Sequence, residues 1–175
     1  MSEYYLNTNN INEWVGKLKA GDKVYLSGTV FTARDAAHKR IVTLLQSGDE
    51  LPFELSNSVI YYAGPTPEKN NLAIGSIGPT TSSRMDVFAP RLISCGLKGM
   101  IGKGNRSCEV VDAMKNYGCV YFAAIGGAGA LYSQCISECA VVAFEELGCE
   151  SVKRLTVKDF PLIVAIDSDG DTLYK

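Results

Sequence analysis

The chain has 175 residues, 46% of them hydrophobic, and a net charge of −2. That length suits one domain, and that apolar content can bury a real core, which excludes a disordered chain. Acidic and basic residues are interspersed, so no basic stripe argues for nucleic acid, and no apolar run approaches the ~20 residues of a membrane span.

The N-terminal MSEYYLNTNN is polar and does not read as a secretory signal. In TNNINEWVGKLK (8–19), Ile11, Trp14, Val15 and Leu18 recur at i, i+3, i+4, i+7 and predict an amphipathic helix, stopped by Gly21 and Asp22. KVYLSGTVFTA (23–33) predicts a strand and RDAAHKRIVTLLQSG (34–48) a helix. LPFEL (51–55) and SVIYYAG (58–64) are short strand candidates, followed by a polar link EKNN (68–71). SSRMDVFAPRLIS (82–94) predicts a helix, KGMIGKG (98–104) a strand entering a glycine loop, and SCEVVDAMKNYG (107–118) a helix. VYFAAIGG (120–127) predicts a buried strand and AGALYSQCISECAVVAFEEL (128–147) a long helix. RLTVKDF (154–160) and PLIVAID (161–167) predict two strands, then a DSDGD turn and TLYK. Strand and helix alternate through the second half, as in a three-layer α/β domain, while the first half admits a mixed sheet or a small barrel-like element.

Three polar segments sit where a predicted strand meets a predicted helix: 32–40, 78–86 and 102–107. Such strand ends gather backbone N–H groups and loop side chains, and ligands of α/β sheets bind there. They carry Arg34, His38, Lys39, Arg40, Arg84, Lys103 and Arg106, against Asp35 and Asp86, with a hydroxyl run from Thr80 to Ser83. A pocket built from them is positive and rich in donors, and fits a small dicarboxylate. Taken singly, each residue reads as a surface charge, a helix cap or a loop lysine; the expectation rests on their conjunction. A fourth segment, IGGAGA (125–130), has the same placement without ionisable groups.

Other chemistries fail on spacing. In GMIGKGNRS, Gly104 follows Lys103 where a phosphate loop needs Ser or Thr, and in GGAGALY, Tyr132 replaces the third glycine of a dinucleotide fingerprint. The single histidine rules out a His-based metal cluster. The six cysteines form no C-x-x-C and read as reduced thiols of a cytoplasmic protein; Cys135 and Cys139, one predicted helical turn apart, read as buried structural thiols. No metal site is expected in this chain.

RDAAHKR, GPTTSSRMD, GKGNRS and IGGAGAL, in this order, resemble the β subunit of the iron–sulfur-dependent class I fumarate hydratases and L-tartrate dehydratases. In some organisms this unit is the C-terminal domain of a single-chain fumarase. LPFEL, YYAGPTP and the ending DFPLIVAIDSDGDTLY are similar too, so the resemblance covers nearly all of 1–175. It implies a single swivelling β/β/α domain with a mixed sheet. It also implies an α subunit carrying the [4Fe-4S] cluster, in an αβ heterodimer or α2β2 assembly, and a hydro-lyase interconverting fumarate and S-malate. By the resemblance, Arg34, Arg84 and Lys103 hold substrate carboxylates and Thr80 is the catalytic base; Asp35, His38 and Asp86 match motif positions to which the resemblance assigns no role, and are expected to orient the others. L-tartrate dehydration and a non-enzymatic small-anion-binding module lacking its partner are the alternatives. The expectation requires Arg34, Arg84 and Lys103 on one face of the molecule.

Overall fold

A computed structural model describes residues 2–68 and 72–174; most of the expected link 68–71, and Lys175, lie outside them. The elements in chain order are β1 (Glu3–Asn7), α1 (Ile11–Trp14), β2 (Lys23–Thr32), α2 (Asp35–Ser47), β3 (Val59–Tyr61), α3 (Ala89–Ser94), β4 (Gly99–Gly102), α4 (Cys108–Tyr117), β5 (Val120–Ala123), α5 (Gly129–Gln134), β6 (Ile136–Ala143) and β7 (Val152–Ile166). The fold is α/β with a mixed seven-stranded sheet. β1 to β5 pair in parallel, while β7 runs antiparallel to β2, β5 and β6. The pairings form a circuit, β2–β3–β4–β5–β7–β2. The barrel-like element expected in the first half therefore draws strands from both halves.

Strand alternation sorts the core into two layers. Val59, Tyr61, Ile101, Val120 and Phe122 face inward, onto β7 and the N-terminal segment. Ile60, Tyr62, Met100 and Tyr121 face outward, where Ala37 and Ile41 of α2, Leu92 and Ile93 of α3 and Val110 and Met114 of α4 cover them. Because β2, β3, β4 and β5 are parallel, their carboxyl ends share one edge of the sheet. Arg34, Gly64, Lys103 and Ile125 follow those ends directly.

Several elements differ from expectation. Residues 3–7 form β1, unforeseen in a polar stretch; only Leu6 and, in part, Tyr4 point inward. The helix over 8–19 shrinks to a 3-10 turn, Thr8–Asn10, and the single turn α1, although Ile11, Val15 and Leu18 are buried as the spacing requires. Residues 51–55 form no strand. The helix over 82–94 divides into a 3-10 turn, Ser82–Met85, and α3, which starts at Ala89 with Pro90 next, a residue suited to a first helical turn because it has no N–H to satisfy.

The largest departure is 128–147. It forms α5, then β6, then a 3-10 turn at Glu145–Glu150. β6 gains backbone partners along β7, and this tertiary pairing overrides the helical pattern. Cys135 and Cys139 consequently lie on different elements and are half-buried rather than sharing a helix face. The two strands expected over 154–167 are one, β7. Pro161 does not break it, because it falls between the residues that pair with β6, ending at Val157, and those that pair with β5, starting at Ile163. In the described part of the tail, Thr172 bridges Ile166 and Leu173 N donates to Ala165 O at 2.9 Å.

Candidate active site

The cationic residues assemble at the shared carboxyl edge. Arg34 precedes α2, with an extended backbone, and Asp35 opens the helix, where a carboxylate complements the helix dipole. Arg84 arrives on the 3-10 turn after the long β3–α3 connection, and its Nε donates to Asp35 Oδ1 at 2.9 Å. Arg34 Nε lies 3.8 Å from Asp35 Oδ2 and 3.4 Å from Glu150 Oε1. Arg34 and Arg84 therefore flank one carboxylate. The same turn is tied to the end of β4: Thr81 bridges Lys103, and Ser82 N donates to Lys103 O at 2.9 Å. Thr80 N donates to Tyr62 O at 2.7 Å, which fixes the segment against the end of β3. The Thr80 and Arg84 backbones do not share a helical register, since the 3-10 turn starts only at Ser82.

Two glycines permit the close approach. A Cβ on Gly102 would stand 2.0 Å from Ser82 Oγ and 3.0 Å from Tyr62 Cδ2. A Cβ on Gly64 would meet Arg34 Nη1 at 2.9 Å and Cys149 O at 3.3 Å. A methyl group on Gly102 would push Ser82 away, and one on Gly64 would displace the end of the Arg34 side chain.

The remaining basic residues do other work. Arg106 is buried: its Nε donates to Asp86 Oδ1 at 2.6 Å, and its guanidinium stacks on Tyr62 and Tyr121. Burial disfavours its charge, but Tyr62 and Asp86 outweigh that and raise its pKa. Asp86 Oδ2 also accepts from Ser107 N at 2.7 Å at the start of α4, so Asp86 joins the Arg84 turn to the loop after Lys103. Below them, Tyr121 OH donates to Gly104 O at 2.8 Å and shares a 2.9 Å bond with Ser82 Oγ. Arg40 pairs with Glu146 and lies over Phe144. Arg40 and Arg106, grouped with the pocket cations by sequence alone, thus stand apart from them.

His38 is wholly buried between Tyr62 and Phe88, with Nδ1 2.9 Å from Arg34 O. It packs under the site rather than joining the cationic group. Burial, against only partial help from the Arg34 carbonyl, lowers its pKa from 6.5 to about 4. The unfolded chain takes up this proton first as pH falls, so the contribution to stability is complete above pH 6.5 and is lost toward pH 4, at about 1.4 kcal/mol per pH unit. Urea midpoints measured from pH 7.5 to 4.5 should show this slope, and His38→Gln should remove it; an unchanged slope in the variant would assign it to other groups.

Arg84 and Lys103 are exposed, and so are Val87, three residues after Arg84, and Ile125, at 79% and 66%. The Gly126 backbone stands beside the Lys103 side chain. The result is an open, cationic half-site with apolar residues at its rim. A cavity of about 490 Å³ between Leu45, Leu51, Phe53 and Cys95 includes none of these residues. Among the described residues, no three His, Cys, Asp or Glu side chains converge to hold a metal, and no helix is long and apolar enough to cross a membrane.

Glu150 and Tyr121 escaped the sequence reading. Glu150 lies 116 positions beyond Arg34, and Tyr121 reads as one more apolar residue of a buried strand.

The sequence profile of one family, described as "Fumarase C-terminus", matches residues 1–175. The chain is 44% identical over 167 residues to a Methanocaldococcus jannaschii protein named "Putative L(+)-tartrate dehydratase subunit beta", covering 92% of this chain and 86% of that one. It is 38% identical to fumarate hydratase 2 of Leishmania major, over 94% of this chain and 29% of that protein. It is 39% identical to the anaerobic class I fumarate hydratase of Escherichia coli, over 87% of this chain and 28% of that protein. The chain thus spans under a third of those two fumarate hydratases but most of the tartrate dehydratase subunit. A profile match from end to end, joined by relatives at this identity, makes the chain a member of the fumarase C-terminus family.

Proposed function

We propose that the chain is the β subunit of an iron–sulfur hydro-lyase that reversibly hydrates fumarate to S-malate in a site shared with an α subunit. The observation that carries this reading is the meeting of Arg34 and Arg84, from distant segments, on Asp35, with the Arg84 segment bridged to the Lys103 backbone at the end of β4. Arg34, Arg84 and Lys103 grip the substrate carboxylates. Removal of a proton beside a carboxylate builds negative charge on it, and fixed cations stabilise that charge more than the ground state. Thr80, beside these cations, removes the proton. The [4Fe-4S] cluster belongs to the α subunit, which docks over the rim bearing Val87 and Ile125; exposed apolar side chains at a rim fit a protein interface better than solvent. The protein acts in the cytoplasm.

L-tartrate is the second reading of the substrate. It is favoured by the β-subunit relative at 44% identity, which matches this chain over nearly its whole length. Anaerobic co-expression with a candidate α subunit, followed by assays on malate, fumarate and L-tartrate, separates the two. In that complex Arg84→Ala should lower kcat/KM about 10²-fold through loss of a charge-assisted contact made as charge develops. A near-normal kcat/KM would remove Arg84 from the carboxylate grip. A complex inactive on all three diacids would leave the chain as an anion-binding module.

A further inference from the structure

We infer that Glu150 is a positioning residue for Arg34, turning the terminal fork of its guanidinium toward the substrate. The inference rests on the hydro-lyase reading above and adds a residue to it.

A guanidinium offers a carboxylate two edges, one made by Nε and one Nη, the other by the two Nη atoms. In Arg34 the Nε edge faces protein carboxylates, Glu150 Oε1 at 3.4 Å and Asp35 Oδ2 at 3.8 Å. Arg34 Nε is buried and makes no hydrogen bond, so it is enclosed by charge without being consumed by a direct donor–acceptor contact. In Arg84, too, the bond to Asp35 engages Nε. Among the described residues no hydrogen bond uses the Nη atoms of either arginine, and both side chains keep part of their surface accessible, 22% for Arg34 and 53% for Arg84. Two arginines held by their inner edges leave their outer forks for a diacid.

Asp35 cannot hold Arg34 by itself. Its Oδ1 is bound to Arg84, and its Oδ2 is the more distant of the two carboxylate oxygens at Arg34 Nε. Glu150 is the second anchor, and the fold fixes it. It lies beyond Gly148, whose non-helical backbone kinks Glu145–Glu150 into two turns, and the first of these is tied to α2 by the Arg40–Glu146 pair. Lys153 Nζ donates to the Gly148 backbone oxygen at 3.0 Å and to the Ser151 side-chain hydroxyl at 2.6 Å, so its contacts bracket Glu150. Thr32, at the end of β2, donates to Ser151 O at 3.4 Å and accepts from Lys153 N at 3.1 Å. The segment carrying Glu150 is thus secured to the strand that leads into Arg34. Removal of its charge frees Arg34 to compete with Arg84 for Asp35, and both forks lose their aim.

The test compares Glu150→Gln with Glu146→Gln, a neighbouring carboxylate on the other side of the Gly148 kink that pairs with Arg40. In the chain alone, the Nε–Hε resonance of Arg34 in a 15N-edited spectrum should exchange slowly with water, and Glu150→Gln should abolish that protection while Glu146→Gln preserves it. In the assembled complex, Glu150→Gln should raise KM for the diacid about tenfold and change kcat less than twofold, at an unchanged melting temperature. Glu150→Asp should recover most of the KM. Retained Arg34 protection in Glu150→Gln, or lost protection with an unchanged KM, overturns the inference. A lowered melting temperature with normal KM makes Glu150 merely structural and overturns it as well. A wild-type complex that turns over neither fumarate nor tartrate removes the hydro-lyase reading, and the resonance still decides whether Glu150 holds Arg34.

Discussion

Asp86→Ala should destabilise the folded chain by about 3–5 kcal/mol, the cost typical of stranding one member of a buried ion pair. The Arg106 side chain has no accessible surface, and Asp86 supplies its charged partner at 2.6 Å. Without that carboxylate the guanidinium keeps the Tyr62 and Tyr121 rings, Tyr62 OH at 3.4 Å and the Met100 sulfur at 3.3 Å, and none of these neutralises a charge. Ser107 N loses its acceptor in the same change. A domain has only about 5–15 kcal/mol of stability, so the variant should be poorly folded at 37 °C, with a urea midpoint lowered by about 2 M. Asp86→Asn should fall between, because the amide keeps the shape and one acceptor. The double variant Asp86→Leu with Arg106→Met should recover much of the loss, since an apolar pair carries no desolvation cost. If Asp86→Ala unfolded at the wild-type midpoint, the pair would have no structural weight, and the tie between the two site loops would need another explanation.

Thr80→Val should lower kcat of the assembled enzyme by about 10²–10⁴, the usual share of a positioned acid or base, with KM altered only a few-fold. Valine preserves the volume, and the bond from the residue 80 backbone N–H to Tyr62 O persists, so the segment holds its place. Only the hydroxyl is lost. A threonine hydroxyl is a weak base until nearby positive charge favours its ionised form, and Arg84 and Lys103, on the same bridged segments, are the cations proposed to do so. Thr80→Ser should retain most of the activity. The sharpest measurement is exchange of the diacid's C3 proton with deuterated solvent, which Thr80→Val should suppress in step with kcat. Exchange at the wild-type rate would assign proton removal to a different group.

The legible parts of the fold were those whose pattern arises within one element. β2, α2, β4, α4 and β5 follow from β-branched runs and helical spacing, and each lies where its segment was expected. The failures share a cause. ISECAVVA has no strong local preference and becomes β6 because β7 offers it a row of backbone partners. SSRMDVFAPRLIS keeps its apolar side, with Met85, Ala89, Leu92 and Ile93 all buried, but Pro90 and the tie of Ser82 to Lys103 split it.

By itself the sequence determined the fold class, the family, and the segments from which a cationic site is made, because residue type and order along the chain carry that information. Only the tertiary structure decided which charges meet. It set Arg34 and Arg84 on one carboxylate, took Arg106 and His38 into the interior, and brought Glu150 to Arg34 across 116 positions of chain. Charges act through distance in space, and the parallel order of β2, β3, β4 and β5 carries loops remote in sequence to a common edge.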